Sequence, residues 1–189
     1  GEEVWASTFH STCVKILRRD IDKIGYARSF VIFDTADQQT VIKECLKELN
    51  LDPKQYAPKA VAAEISRAKD ELISADDYAE VFRGDFFKAV VSKIYKLYSQ
   101  KMKSYNALDF DDLILCTVRL FEENPDVLDY YRNKFRYILV DEYQDTNHAQ
   151  YRLVSLLAGK YRNLCVVGDD DQSIYKFRGA DISNILGFE

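Results

Sequence analysis

The residues best suited to chemistry gather in one stretch of the chain, from Tyr137 to Asp181. Two short apolar runs, Tyr137-Ile138-Leu139-Val140 and Leu164-Cys165-Val166-Val167, each end abruptly in acid. The first leads into Asp141-Glu142, the second into Gly168-Asp169-Asp170-Asp171. Continuous apolar runs of about four to eight residues suit strands covered on both faces of a parallel sheet. Between them, Leu153, Leu156 and Leu157, with Tyr151 and Val154 alongside, follow helical spacing that closes at Gly159. Strand, helix and strand make a βαβ unit, for which a right-handed crossover is expected. Both acidic clusters then fall at the carboxyl ends of neighbouring strands, where open α/β sheets bind their ligands. Carboxylates crowded on an apolar sheet edge are costly unless a cation or hydrogen bonds compensate them. The chemistry this pattern predicts is a Mg²⁺–phosphate site.

The elements that must position such a site come from a chain of 189 residues, enough for one domain or a domain with a sizeable insertion. Hydrophobic residues at 47% and charged ones at 30% describe an ordinary globular composition. A formal net charge of -5 excludes a chain that is polycationic throughout, so any DNA contact must use a local basic stripe. Cys13, Cys45, Cys116 and Cys165 are dispersed among apolar neighbours with no C-x-x-C pair. This pattern predicts buried free thiols in a reducing compartment rather than zinc or disulfides. No apolar run approaches about 18 residues and no signal peptide opens the chain, so no membrane contact and a cytoplasmic, nucleoid-associated location are expected.

Taken in order, Val4 to Phe9 reads as a short strand entering a helix at His10 or Ser11, with Ser7, Thr8 or Ser11 as cap. That helix carries Cys13, Ile16 and Leu17 inside, Lys15, Arg18, Arg19 and Lys23 outside, and ends at Gly25. Hydroxyls at a helix N-terminus followed by Lys and Arg can hold a backbone phosphate; the same residues also describe a plain capped amphipathic helix. From about Phe30 to Asn106 the pattern is helical, with loops at Asn50-Leu51-Asp52-Pro53 and Ala57-Pro58. One helix opens at Asp37, others span Ala60 to Leu72 and Ser74 to Phe82, and the longest runs from Asp85 to about Lys103. The longest places Phe86, Val90, Ile94, Leu97 and Tyr98 in one stripe. Lys88, Lys93, Lys96, Lys101 and Lys103, interleaved with Tyr95, Tyr98 and Tyr105, read either as a nucleic-acid track or as a solvated face over an aromatic core. Asp109 is placed to cap a helix with Phe110, Leu113, Ile114, Thr117 and Leu120 on its packed face. Asp111 and Asp112 there complement its dipole. Asp145 or Thr146 is expected to cap the helix that follows them.

Several of these strings resemble one family. Asp141-Glu142-Tyr143-Gln144-Asp145-Thr146-Asn147 is similar to the Walker B segment of superfamily 1 DNA helicases of the UvrD/Rep/PcrA type. Gly168 to Tyr175 followed by Phe177-Arg178-Gly179-Ala180-Asp181 resembles their motif III. Thr8-Phe9-His10-Ser11 with Cys13 resembles motif Ib, and Leu108-Asp109-Phe110-Asp111-Asp112-Leu113 their LDFDDL-like segment. The resemblance implies an α/β fold: an incomplete RecA-like P-loop NTPase parallel sheet (domain 1A) with a mainly helical inserted subdomain, 1B. Residues 1–25 and 107–189 would belong to 1A, and 26–106 to 1B. It implies ATP and Mg²⁺ as cofactors, with Asp141 holding the metal and Glu142 orienting the attacking water. Gln172 would touch the γ-phosphate, and Gln144 and Arg178 would support the nucleotide site. Thr8, Phe9, His10, Ser11, Tyr175 and Phe177 would contact single-stranded DNA or its junction with duplex.

The implied activity is ATP-driven 3′–5′ movement on single-stranded DNA and duplex unwinding in repair or replication, alongside repair or replication proteins. Two departures stand out. Phe177 sits where the family usually has Trp, and no G-x-x-x-x-G-K-[ST] phosphate loop occurs; Gly159-Lys160 lacks the earlier glycine. The chain is therefore expected to be an internal fragment, inactive in ATP hydrolysis alone, whose partners include the Walker A part of 1A and domains 2A and 2B. The residues by themselves also allow a metal-dependent nuclease or phosphatase built on Asp141, Glu142 and Asp169, or a non-enzymatic helical module that binds DNA or protein.

Overall fold

A computed structural model of the chain describes residues 4–5, 9–134, 137–140, 147–158, 164–167 and 174–177. Contacts divide the chain into two compact units, one formed by residues 1–28 and 113–189, the other by 29–112.

The second unit begins and ends on a strand. β2 (Val31–Ile32) pairs in parallel with β3 (Ala107–Leu108), in the register Val31 to Ala107 and Ile32 to Leu108. The pairing is extended by Val31 N–H donating to the Asn106 carbonyl and Phe33 N–H to the Leu108 carbonyl. Between the strands run α2 (Thr35–Glu48), α3 (Pro58–Asp70), α4 (Ala75–Val81) and α5 (Phe86–Ser104). Each begins for a local reason. Asp34 and Asp37 form a reciprocal capping box on α2, Pro58 occupies the first turn of α3, and Ser74 and Asp85 accept from the third backbone N–H of α4 and α5. α5 is the hub that packs α2, α3 and α4. Its inner stripe is Val91, Ile94, Tyr95, Tyr98 and Met102, set against Ile42, Leu46, Val61 and Tyr78.

Three expectations for this unit are corrected. The segment is not helices and loops alone, because β2 and β3 bracket it. Asp34, not Asp37, is the N-cap of α2. On α5, Phe86 lies off the buried stripe and is 79% exposed, while Val90 and Leu97 only flank it. At about 100° per residue, Phe86 points roughly 80° away from Ile94 and 120° from Tyr98.

The first unit holds a mixed sheet of order β1-β4-β5-β6, made of β1 (Val4–Trp5), β4 (Tyr137–Val140), β5 (Leu164–Val167) and β6 (Ile174–Phe177). β1 and β5 each pair in parallel with β4, and β6 runs antiparallel to β5. Helix α1 (Phe9–Asp20) follows β1 and tightens into a 3₁₀ turn (Ile21–Ile24). Gly25, at φ 88°, closes the turn in the left-handed region that a Cβ disfavours. α6 (Phe110–Glu123), α7 (Pro125–Lys134) and α8 (His148–Ala158) complete the described helices, α8 linking β4 to β5 as the apolar spacing requires. The cap of α8 is Asn147, whose Oδ1 accepts from Gln150 N–H at 2.9 Å, rather than Asp145 or Thr146. Phe110 is exposed instead of packed, leaving Leu113, Ile114, Thr117 and Leu120 on the inner face of α6.

Buried Asp20 accepts from the Tyr131 hydroxyl at 3.1 Å and is paired with Arg19 and Lys23, while the Arg19 guanidinium lies 3.8 Å above the Tyr130 ring. Cys13, Cys45 and Cys116 are free and buried; burial pushes the Cys13 thiol up to about 12 and that of Cys45 to about 11. Among the described residues, no helix is long and apolar enough to cross a membrane.

The placement of α5 predicts a contrast. Ile94→Ala, at the fully buried centre, should lose about 2–5 kcal/mol of unfolding free energy in a urea titration. Phe86→Ala should stay within about 0.5 kcal/mol of the parent.

Candidate functional site

The sheet aligns the strands that precede the sequence-predicted site segments. β1, β4 and β5 run in the same direction, so their carboxyl ends lie on a common side. Thr8 to Ser11 begins within three residues of the end of β1, Asp141 follows the last residue of β4, and Gly168 follows the last residue of β5. β6 starts back from that edge, with Ile174 paired to Val167 and Tyr175 to Val166. The carboxyl ends of β1, β4 and β5 thus share the side on which an open α/β sheet binds ligands.

Individual residues stand as follows. Asp141, Glu142, Gln144, Gln172, Arg178 and Thr8 lie outside the described residues. Tyr175 and Phe177 are placed by their backbone in β6, and Phe9 opens α1. His10 and Ser11 occupy the first turn of α1, His10 half-buried and Ser11 exposed; no acidic residue stands in that turn, which leaves the positive end of the helix dipole uncompensated from its own element. Among the described residues, no group of three or more His, Cys, Asp or Glu could hold a metal ion.

In the unit of residues 29–112, the lysines and tyrosines read as a track or a solvated face divide, with Lys93, Lys96, Lys103 and Tyr105 exposed. Tyr95 and Tyr98 are buried. Lys101 is salt-bridged to Glu48 at 2.8 Å, and Lys88 is 3.8 Å both from Glu64 and from the centre of the Phe82 ring. The solvated-face reading holds for these residues.

Sequence reasoning missed Lys69. It sits on α3, only 4% exposed, and its Nζ donates to Asp109 Oδ2 at 2.6 Å and to Asp112 Oδ1 at 2.8 Å. The Tyr98 hydroxyl donates to the same Asp109 Oδ2 at 2.7 Å. Asp109 and Asp112 also cap each other's backbone at the start of α6, by N–H to carboxylate bonds of 3.0 and 2.9 Å. Asp112 thus fills the helix-start role read from the sequence, with an ion pair added. Nothing local marks Lys69, whose partners lie 40 and 43 residues further on. The only available signal was a lysine at a position spaced with Val61, Ile65 and Ala68, the buried side of α3.

Comparison with known proteins follows from this geometry. The UvrD/REP helicase N-terminal domain matches residues 1–189. The chain belongs to that family. Over 189 residues it is 56% identical to the ATP-dependent DNA helicase PcrA of Bacillus subtilis, a match covering 100% of this chain and 25% of that protein. It is 56% identical to the PcrA helicase of Staphylococcus epidermidis over 192 residues and 55% to that of Staphylococcus aureus over 189, each match covering all of this chain and 26% of the relative. The chain therefore spans about a quarter of the length of these relatives.

Within this UvrD/REP helicase N-terminal domain, the Lys69 cluster sets carboxylates against burial. Burial, then the Asp109 charge, pushes the Asp111 and Asp112 carboxyls up to about 6. Burial would likewise raise Asp109, but the Lys69 ammonium and the Tyr98 hydroxyl hold it below the usual carboxylate value. Lys69 itself overcomes its burial through the two aspartates and stays charged. Because Asp111 and Asp112 bind protons more tightly folded than unfolded, their stabilising contribution is full below about 3.8 and is lost as pH rises through about 6. The Asp109 contribution has the opposite sign and is lost only on acidification below the ordinary carboxylate range. Thermal unfolding should accordingly show a more stable protein at about pH 5 than at about pH 8, with a flatter slope in Asp111→Asn. Lys69→Met leaves Asp109 buried without its cation and should cost about 3–5 kcal/mol in denaturant unfolding.

Proposed function

We propose that this chain is part of an ATP-dependent DNA helicase that moves 3′–5′ along single-stranded DNA and separates duplex in repair or replication. Residues 1–25 and 107–189 would be the motif Ib, Walker B and motif III portion of a RecA-like domain 1A, and 26–106 its helical insertion 1B. The observation that carries the reading is the common edge of β1, β4 and β5 with the return of β6, since it supports bringing nucleotide and DNA segments together.

In this reading Asp141 and Glu142 divide the work on ATP. The acidic residues that follow β4 and β5 are hard oxygen donors of the kind Mg²⁺ takes, and Asp141 would hold the ion. When bound, the ion neutralises charge on the phosphate oxygens. Glu142 orients a water for in-line attack on the γ-phosphorus and accepts its proton as the bond to the bridging oxygen breaks. Gln172 contacts the γ-phosphate, with Gln144 and Arg178 in support. Tyr175 and Phe177, on the strand that starts from the nucleotide edge, carry the state of that site to DNA. Thr8, Phe9, His10 and Ser11 hold the DNA backbone at the start of α1. Base–aromatic stacking of about 1–3 kcal/mol per base tolerates any sequence, which suits a motor that must step along the strand.

The decisive experiment is ATP hydrolysis by the full-length gene product, with and without single-stranded DNA. Strong stimulation by DNA is expected, with Glu142→Gln reducing turnover by about 10²–10⁴-fold. Undiminished turnover in that variant, or none in the parent, would overturn the reading. Phe177→Ala should keep basal hydrolysis and weaken its response to DNA.

A further inference from the structure

The junction of α4 and α5 carries a feature that hydrolysis and strand contact do not use. Phe86 is 79% exposed, Val81 55% and Phe87 36%, all within one seven-residue stretch of sequence. A tight turn joins them: Arg83 N–H donates to the Glu80 carbonyl and Asp85 N–H to that of Phe82. Gly84 takes φ +95° at its tip, with nothing within 4 Å of where a Cβ would stand. Phe87 stacks on Tyr56 at 6.0 Å, which turns one ring of the pair inward and leaves Phe86 as the outward one. Such a cluster of large apolar side chains in water marks a contact surface when its rim is polar.

The surround is mainly acidic. Asp76, Asp77, Glu80 and Asp85 are exposed at the same junction, against the single guanidinium of Arg83, which is bound to Glu80 at 2.7 Å. The second cation, the Lys88 ammonium, is held 3.8 Å from both Glu64 and the centre of the Phe82 ring. The dipole adds to this, because α4 ends at Val81 with its negative end toward the turn. At the start of α5 the Asp85 carboxylate already accepts from Lys88 N–H, so that helix end is not open to an anion. A phosphate backbone would meet like charge here, whereas a cationic surface with an apolar tip would be matched in both respects.

We propose that the exposed Phe86 and Val81, with the exposed carboxylates of Asp76, Asp77, Glu80 and Asp85 on the same α4–α5 junction, form a docking site for a partner protein through a basic amphipathic segment. The apolar side chain of that segment covers Phe86, and its Lys or Arg residues face the carboxylates. A ring at the centre with charges at the rim is the arrangement in which one aromatic carries most of the binding energy and the charges set specificity.

The test uses the full-length protein and a fluorescent helical peptide with Lys and Leu at amphipathic spacing, followed by anisotropy. Saturable, salt-sensitive binding is expected, weakened by roughly tenfold or more in Phe86→Ala. Glu80→Lys should also weaken it, and a peptide with Glu in place of Lys should not bind the parent. Equal affinity of the parent and Phe86→Ala overturns the proposal, as does loss of single-stranded oligonucleotide binding in Phe86→Ala, which would make the patch a nucleic-acid surface. Absence of peptide binding together with a lowered melting temperature of full-length Phe86→Ala also overturns it, since another part of the same polypeptide then covers the ring.

Discussion

The buried ammonium of Lys69 is the constraint on which the unit of residues 29–112 turns. Taking one lysine and two aspartates out of water is costly, and the cost is recovered only when every charge finds its partners. Lys69, Asp109, Asp112 and Tyr98 achieve this with bonds of 2.6 to 2.8 Å, reinforced by the mutual capping of the two aspartates. The pairing of β2 with β3 closes the same excursion of the chain at its two ends. Closing a loop this long carries an entropic cost that grows only slowly with length. A few well-satisfied polar bonds and one short strand pair are therefore enough to fix where the excursion leaves and returns. The LDFDDL-like segment has its meaning here: Leu108 pairs with Ile32, Asp109 and Asp112 bind Lys69, and Leu113 begins the apolar face of α6.

How far the sequence revealed this depends on the range of each interaction. β4, α8 and β5 were legible because their patterns are local: unbroken apolar runs for strands and a 3.6-residue repeat for the helix between them. The starts of α4 and α5 were legible because Ser74 and Asp85 are residues that cap by their own side chains. β2 and β3 were not, since each is only two residues long and is defined by a partner more than seventy positions away. Lys69 looked like any helical lysine for the same reason. Phe86 misled in the other direction, because a phenylalanine near helical register with Ile94 reads as core until the roughly 80° of offset is seen.

The candidate site repeats the lesson. That strands end at Val140 and Val167 came from the abrupt change from apolar to acidic residues. That those strands are neighbours followed from the βαβ reading, and their parallel pairing bears it out, whereas β1 beside β4 and β6 returning along β5 are matters of topology, which no local pattern encodes.

The buried cysteines have a further consequence. With burial pushing the thiols up to about 12 and about 11, Cys13 and Cys45 stay protonated at neutral pH, so an alkylating reagent meets little thiolate at either position. Modification then proceeds only when the surrounding core opens. Cys13 belongs to one compact unit and Cys45 to the other. The chain thus carries its own pair of clocks, each timing the breathing of the body that encloses it.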